Sequence, residues 1–344
     1  MTTTMRAYVL TRYGGPEAAE LREVPVPQPG PNTLRIRVHA AGLNPVDFKT
    51  REGKLKIIRD YPLPAILGNE LSGTVDACGP GVTKFAVGDR VFTRVDKDSM
   101  GAFAEYCCVH EDIVAAMPVR LNFAAAAAVP LAGLTALQGL RDELKVTPGM
   151  KVFIAGGAGG VGTFALQLAG QLGARVATTA SPRGDSLVRR LGAEVVVDYT
   201  AQKFTDVLSD YDGAFDLVGA DSLAGAFKVV KPGGLVLSIA GLPEPQTALR
   251  DLGRPGLAPL FWLISLGLRL KARVHKVRYR YLFMHPSGPD LADLARRIDE
   301  GKLEVVVDRV VPFAQISEAF AYLEGGRAKG KVVVQMVDLV SESS

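Results

Sequence analysis

The chain has 344 residues, 48% hydrophobic and 22% charged, with a formal net charge of +4. That length carries two domains whose cores need no staples, and so mild a charge does not by itself indicate nucleic acid, which needs clustered Lys and Arg. Three cysteines (Cys78, Cys107, Cys108) exclude a disulfide framework, and the adjacent pair is wrongly spaced to chelate a metal, so a reducing, cytoplasmic setting is expected.

The N-terminus MTTTMRAYVLTRYGG lacks the apolar core and cleavage site of a signal peptide. Up to about residue 120, short alternating segments (LRIRVHAAG, ELSGTVDACG, GDRVFTRV, FAEYCCV) are broken by Gly and Pro. They predict strands of a compact, mainly β domain, joined by turns such as GPGV and VGDR. From about residue 122 the texture changes. AAAAAVPLAGLTALQGL predicts a helix pair interrupted by Pro130, after which strands and helices alternate from KVFIAGG to LVLSIAG. Such alternation builds a doubly wound parallel sheet.

After Gly241 an irregular, Pro-rich insertion leads to the apolar stretch 257–270. That stretch is well short of the roughly 20 residues that span a bilayer, so no integral membrane segment is expected. KVRYRYLFM follows, and its period of two predicts a strand with Val277, Tyr279, Tyr281 and Phe283 on one face and a solvated basic face opposite. Helix DLADLARRIDEG, strand VVVDRVVPF, helix ISEAFAYLEGG and strand KVVVQMV return to the small-domain texture, and SESS is the only low-complexity tail.

The stretch GGAGGVG at 156–162 stands between KVFIA and a predicted helix. Gly157, Gly159 and Gly162 fit G-x-G-x-x-G. The first makes the tight turn, the second lets a pyrophosphate reach the backbone, and the third lets helix and strand pack closely. N–H groups at the helix start and the positive end of its dipole then hold the phosphates. Motif and strand–helix series together predict a Rossmann domain. The next strand ends in Thr178-Thr179-Ala180-Ser181, then Pro182 and Arg183, with no carboxylate for the adenosine ribose. A hydroxyl beside a guanidinium suits a 2′-phosphate, which predicts NADP(H). The alternative leaves Arg183 as an exposed residue at a helix start.

On these residues the chain resembles the medium-chain dehydrogenase/reductase superfamily across nearly its whole length. AGLNPVDFK, LGNELSGTV, GPGVTKFAVGDRV and GAFAEY match its order and spacing. AGGAGGVGTFALQLA and GRAKGKVVV resemble the zeta-crystallin-like quinone oxidoreductases, and NPVDFK with YPLPAILGNELSG resembles the alkenal/one oxidoreductases and chloroplast-envelope quinone oxidoreductase homologues. The resemblance implies an α/β protein: a GroES-like, mainly β catalytic domain over 1–121, completed by 287–344, and a Rossmann NADP(H)-binding domain over 122–286. Zinc-dependent members place a Cys and a His where this chain has Asn44 and Asn69. No cysteine follows Cys108, and the loop VDKDSM lacks the structural cysteines, so no metal is expected at either site. Without a Lewis acid, a substrate whose negative charge delocalises is the easier one. A quinone or enone, reduced to a hydroquinone or enolate, meets that condition.

The resemblance puts Asn44 between nicotinamide and substrate, its amide orienting either; Asn44 also has the place of a helix cap in an Asn-Pro turn. Tyr61 lines the pocket, as a donor to the substrate oxygen or a proton relay, or equally as a packed loop tyrosine. Lys54 is a further donor or a solvated charge, and Asp47 and Glu70 hold the loop and the domain junction. Thr135 approaches the nicotinamide side of the cofactor. Ala158, Gly159, Gly160 and Val161 meet the pyrophosphate, Ser181 and Arg183 the 2′-phosphate, and Tyr199 the adenosine end. Ile239, Ala240 and Gly241 flank the nicotinamide together with the strand Leu282, Phe283, Met284, and Lys331 reaches the cofactor from the other domain. The expected partners are a small-molecule conjugated carbonyl and a second copy, paired through KVRYRYLFM across a two-fold axis. Competing readings are an enoyl-thioester reductase and a cofactor-bound scaffold or membrane-associated protein that uses 257–280 as its contact surface.

Overall fold

The computed structural model describes residues 3–336; the tail SESS and the last residue of the expected strand KVVVQMV lie outside the described residues. The fold divides into two compact units, Met1–Leu131 with Pro286–Ser344, and Ala132–His285.

The first unit is built from β1 (Thr4–Leu10), β2 (Ala19–Pro25), β3 (Thr33–Leu43), α1 (Pro45–Arg51), β4 (Ala65–Ile66), β5 (Glu70–Cys78), β6 (Arg90–Arg94), β7 (Tyr106–His110), β8 (Val114–Ala116) and α2 (Phe123–Ala127). β2, β1 and β4 form a small antiparallel sheet, of which the sequence pattern had disclosed nothing. The alternation in β3 sends Leu34, Ile36 and Val38 into the core and leaves Arg35 and Arg37 outside it. There they pack with Leu71, Val75, Val91 and Phe103. α2 belongs to this unit, beyond the expected boundary at 121. Its Ala127 packs with Ala40 and Val333, and the Ser72 hydroxyl donates to its Phe123 carbonyl at 2.6 Å.

The second unit holds most of α3 (Pro130–Gln138), then β9 (Lys151–Ala155), α4 (Gly160–Gln171), β10 (Arg175–Ala180), α5 (Pro182–Arg190), β11 (Val195–Asp198), β12 (Tyr211–Asp216), α6 (Ala220–Val229), β13 (Val230–Ser238), α7 (Ala258–Ile264), α8 (Leu266–Val274) and β14 (Arg278–Tyr281). All neighbours in its six-stranded sheet, ordered β11-β10-β9-β12-β13-β14, are parallel. The winding reverses between β9 and β12, and ligands of open α/β sheets bind beyond the strand ends at such a point.

The expectations for residues 257–284 change here. The apolar stretch 257–270 is not one segment but α7 and α8, separated at Ser265, whose hydroxyl turns back to the Phe261 carbonyl at 2.6 Å. The basic strand is shorter than its periodicity suggests, because α8 runs to Val274 and Lys276 takes a left-handed φ of 56°. Its basic face is not simply solvated either. Arg280 is 7% exposed and bonds Glu244 at 2.7 Å and Asp251 at 2.5 Å. Leu282, Phe283 and Met284 lie beyond the strand's end rather than in it.

The chain then re-enters the first unit through α9 (Gly288–Asp299), β15 (Val307–Pro312), α10 (Ile316–Glu324) and β16 (Lys331–Gln335). β16 lies between β15 and β3, with Val332 opposite Leu43. This register sets Lys331 beside the end of β3, where α1 begins.

Candidate active site

In the second unit, β9 ends at Ala155 and Gly156 turns the chain with φ 78°. The loop is tied to β10. Gly156 N–H donates to Thr179 Oγ1 at 2.9 Å and Gly157 N–H to Thr178 Oγ1 at 3.0 Å. The Thr178 hydroxyl in turn donates to the Ile154 carbonyl at 2.6 Å. A Cβ on Gly157 would lie 2.3 Å from Thr178 Oγ1, and one on Gly162 would lie 2.4 Å from the Gly156 carbonyl oxygen. Gly159 caps α4 with extended backbone and no side chain, so nothing of its own covers the helix start. The N–H groups of Gly160, Val161 and Gly162 have no intrahelical acceptor and suit an anion. Gly159, Gly160 and Val161 are partly exposed there, and Ala158 is buried.

At the end of β10, Ser181 caps α5 without a side-chain capping bond. Arg183 is exposed and makes no ion pair among the described residues, whereas Asp185 is engaged by Arg189 at 2.8 Å. Tyr199 follows β11 and is 59% exposed. Thr135 is buried in α3. Ile239, Ala240 and Gly241 follow β13 in a turn organised by two residues that sequence reasoning missed. Ser238 Oγ accepts the N–H groups of Ala240 and Gly241 at 3.1 and 2.9 Å and donates to the buried Asp216 at 2.7 Å. Asp216 also accepts Gly219 N–H at 3.1 Å, so it fixes the loop after β12 as well. Their only signal in the sequence is a polar residue closing each apolar strand. Leu282 N–H is bound to the Ser238 carbonyl at 2.9 Å. Ala158–Val161, Ser181, Arg183, Tyr199, Ile239–Gly241 and Leu282–Met284 therefore all follow the carboxyl ends of strands in one sheet. A bare glycine cradle, two uncommitted groups at the end of β10 and a held turn fit NADP(H).

In the first unit Asn44, at the N-cap of α1, is 3% exposed. Its backbone N–H donates to the Asp47 carboxylate at 2.7 Å, while its carboxamide is committed elsewhere. Nδ2 donates to Glu70 Oε1 at 2.7 Å, and Oδ1 accepts from Lys331 Nζ. The chemistry allows only this orientation, since an ammonium has nothing to accept with and a carboxylate nothing to donate. The remaining Lys331 protons go to Glu70 at 2.6 Å and the Leu43 carbonyl at 2.9 Å. Lys331, expected to reach the cofactor, is thus spent inside the first unit and is 3% exposed. Glu70 Oε2 accepts Leu131 N–H at 2.7 Å. Gly42 makes room for the carboxylate, because a Cβ there would stand 2.4 Å from Oε1.

Asn69 Nδ2 donates to Asp47 at 2.6 Å. Asp47 has no exposed surface, and burial pushes its carboxyl up to about 7 against the bonds from Asn69 and Asn44 and the pull of Lys331. Tyr61 is half-buried; its hydroxyl donates to the Lys97 carbonyl at 2.5 Å, and burial raises it to about 12. Asn44 thus bridges Glu70 and Lys331, while Asn69 bonds Asp47. Two amides and an ammonium, with both carboxylates already bonded to protein donors, do not fit a zinc ion.

A parallel, doubly wound unit with a phosphate cradle, following a β unit with a buried polar centre, is the architecture of a two-domain nucleotide-binding protein. Family models agree: residues 30–119 match the alcohol dehydrogenase GroES-like domain, and 191–334 match zinc-binding dehydrogenase. An NADPH-dependent alkenal/one oxidoreductase of Arabidopsis thaliana is 35% identical over 96% of this chain and 79% of its own length. A 2-methylene-furan-3-one reductase of Solanum lycopersicum is also 35% identical, over 97% and 79%. The solved quinone oxidoreductase of Coxiella burnetii superposes with a TM-score of 0.84 at 31% identity, covering 97% of this chain and all of that one. The chain belongs to the medium-chain dehydrogenase/reductase superfamily, with quinone and alkenal oxidoreductases among its homologues, and it is an oxidoreductase.

Lys331→Met leaves Glu70 as a buried carboxylate without its cation, and is expected to cost about 3–5 kcal/mol in urea unfolding. Pairing it with Glu70→Gln should recover part of that loss. Asp47 binds its proton more tightly folded than unfolded, so its contribution to stability falls as pH rises from its ordinary 3.8 towards about 7, then levels. Unfolding midpoints measured across that range should flatten in Asp47→Asn.

Proposed function

We propose that the protein is an NADPH-dependent reductase of conjugated carbonyls, quinones or α,β-unsaturated ketones and aldehydes, that works without zinc. The observation that carries this reading is the donor set around Asn44, where the family's metal ligands give way to Asn44, held by Lys331 and Glu70, and to Asn69, held by Asp47. The cofactor is NADP(H), whose reduced form supplies a hydride when bound. The cradle of α4 receives its pyrophosphate, and Arg183 with Ser181 its 2′-phosphate. The N–H groups that do this are preorganised, because Thr178 and Thr179 fix the loop before any ligand arrives.

Negative charge on the reduced carbonyl must be spread by conjugation and met by hydrogen-bond donors. Tyr61 is our candidate donor. Its proton stays on at neutral pH, and exchanging the Lys97 carbonyl for a substrate oxygen costs no net hydrogen bond. Asn44 serves as an orienting group: with its carboxamide pinned at both ends it presents a fixed dipole and moves no proton. The outer edge of β14 has no strand partner among the described residues and is the edge we propose for two-fold pairing with a second copy. Three free cysteines favour a reducing compartment, which we take to be the cytoplasm.

The direct test follows NADPH oxidation against quinones, short enones, 2-alkenals and enoyl thioesters. Turnover of quinones or enones is expected; turnover confined to enoyl thioesters would move the assignment to an acyl-chain reductase, and none at all would end it. Arg183→Glu should raise the KM for NADPH by about ten- to hundredfold while changing that for NADH little. An unchanged preference would remove Arg183 from the phosphate site.

A further inference from the structure

The second unit carries a surface that the reductase reading does not use. No Asp or Glu occurs between Asp251 and Asp290, yet Arg269–Arg280 contains six Lys and Arg. Of these six, only Arg280 has ion-pair partners among the described residues. Arg269, Arg273, Lys276 and Arg278 line one groove of about 640 Å³ along α8 and β14. The side chains of Arg273, Lys276 and Arg278 have no ion-pair partner among the described residues, and Arg269 Nη1 is buried without a hydrogen bond. Arg269 also lies over the Trp262 ring, 5.8 Å from its centroid, which joins the cationic groove to α7.

α7 and α8 hold large apolar side chains out in the open. Trp262 is 47% exposed, Leu263 62%, Leu270 52% and Val274 77%. Single exposed leucines need no explanation, but an apolar cluster continuous with uncompensated cations does. We propose that this face docks on an anionic lipid surface, with Trp262 and Leu263 entering the interface and Arg269, Arg273, Lys276 and Arg278 meeting lipid headgroups. The division of labour is that of a helix lying in the membrane plane: apolar side chains into the acyl boundary, cations on the phosphates. Charge complementarity selects this occupant. A second copy seated on this α7–α8 face, as distinct from one paired through the backbone edge of β14, would bring like charges together, and a nucleic acid would leave the aliphatic side chains without a partner.

The test is flotation of the full chain with vesicles of phosphatidylcholine alone, and with about one third phosphatidylglycerol. Binding is expected only to the anionic vesicles, falling as salt rises. Arg273→Glu with Lys276→Glu should weaken it by about tenfold or more, and Trp262→Ser should weaken it in parallel. NADPH-dependent turnover of a water-soluble substrate should be unchanged in both, which shows that the variants fold and keeps this result separate from the reductase assignment. Equal binding to both vesicles, or binding to neither, overturns the proposal. So does a single-stranded oligonucleotide that binds more tightly than the vesicles, or a dimer in sedimentation that Leu263→Ser dissolves.

Discussion

The Lys331 ammonium, buried between Glu70 and Asn44, is the contact on which the first unit depends. A cation so enclosed is tolerable only where carboxylate and carbonyl oxygens replace its water, and here three acceptors do so. Each acceptor is set by a different element. β3 ends in the Leu43 carbonyl, α1 opens with Asn44, and β5 begins with Glu70. The register of β16 against β3 is therefore specified twice, once by its apolar valines and once by a charge with a single acceptable place. Gly42 and the Leu131 N–H complete the enclosure, one by its missing side chain and the other by its bond to the second carboxylate oxygen.

The cofactor unit follows the opposite logic. The groups proposed to hold the cofactor are backbone N–H groups and turns at the carboxyl edge of a parallel sheet, and side chains act from behind. Thr178 and Thr179 restrain the glycine loop, while Ser238 and Asp216 restrain the turn after β13. Glycine gives the loop room for a phosphate but no stiffness of its own. Hydroxyls on the neighbouring strand supply that stiffness without entering the space.

Features that rest on local pattern were legible in the sequence: the period-two strands of the first unit, the strand–glycine–helix sequence of the cradle, and the missing carboxylate at Ser181–Arg183. Features that rest on distant partners were not. That Arg280 faces inward depends on Glu244 and Asp251 in a loop some thirty residues earlier, which periodicity does not see. Thr178 and Thr179 read as the end of a strand beside the adenosine, yet their hydroxyls turn to the glycines. Asn44 was legible as a cap, but not as a bridge between Lys331 and Glu70, because those two are separated by 261 positions. Strand KVRYRYLFM was recognisable as a strand, but its bounds are set by α8 and by the left-handed turn at Lys276.

The excursion of the chain through the second unit has a consequence for biosynthesis. Residues 132–285 are contiguous, so that unit has all its strands before β16 leaves the ribosome. The first unit must wait. Until Lys331 arrives, Glu70 lacks its cation, and β3 lacks the neighbour that β16 provides on one side. The nascent protein therefore passes through a stage in which the dinucleotide unit is whole and the β unit is an unfinished sheet with an open edge. Such an edge is the kind of surface that holdase chaperones cover. Pairing of β16 with β3 closes that edge, and Lys331 arrives with it.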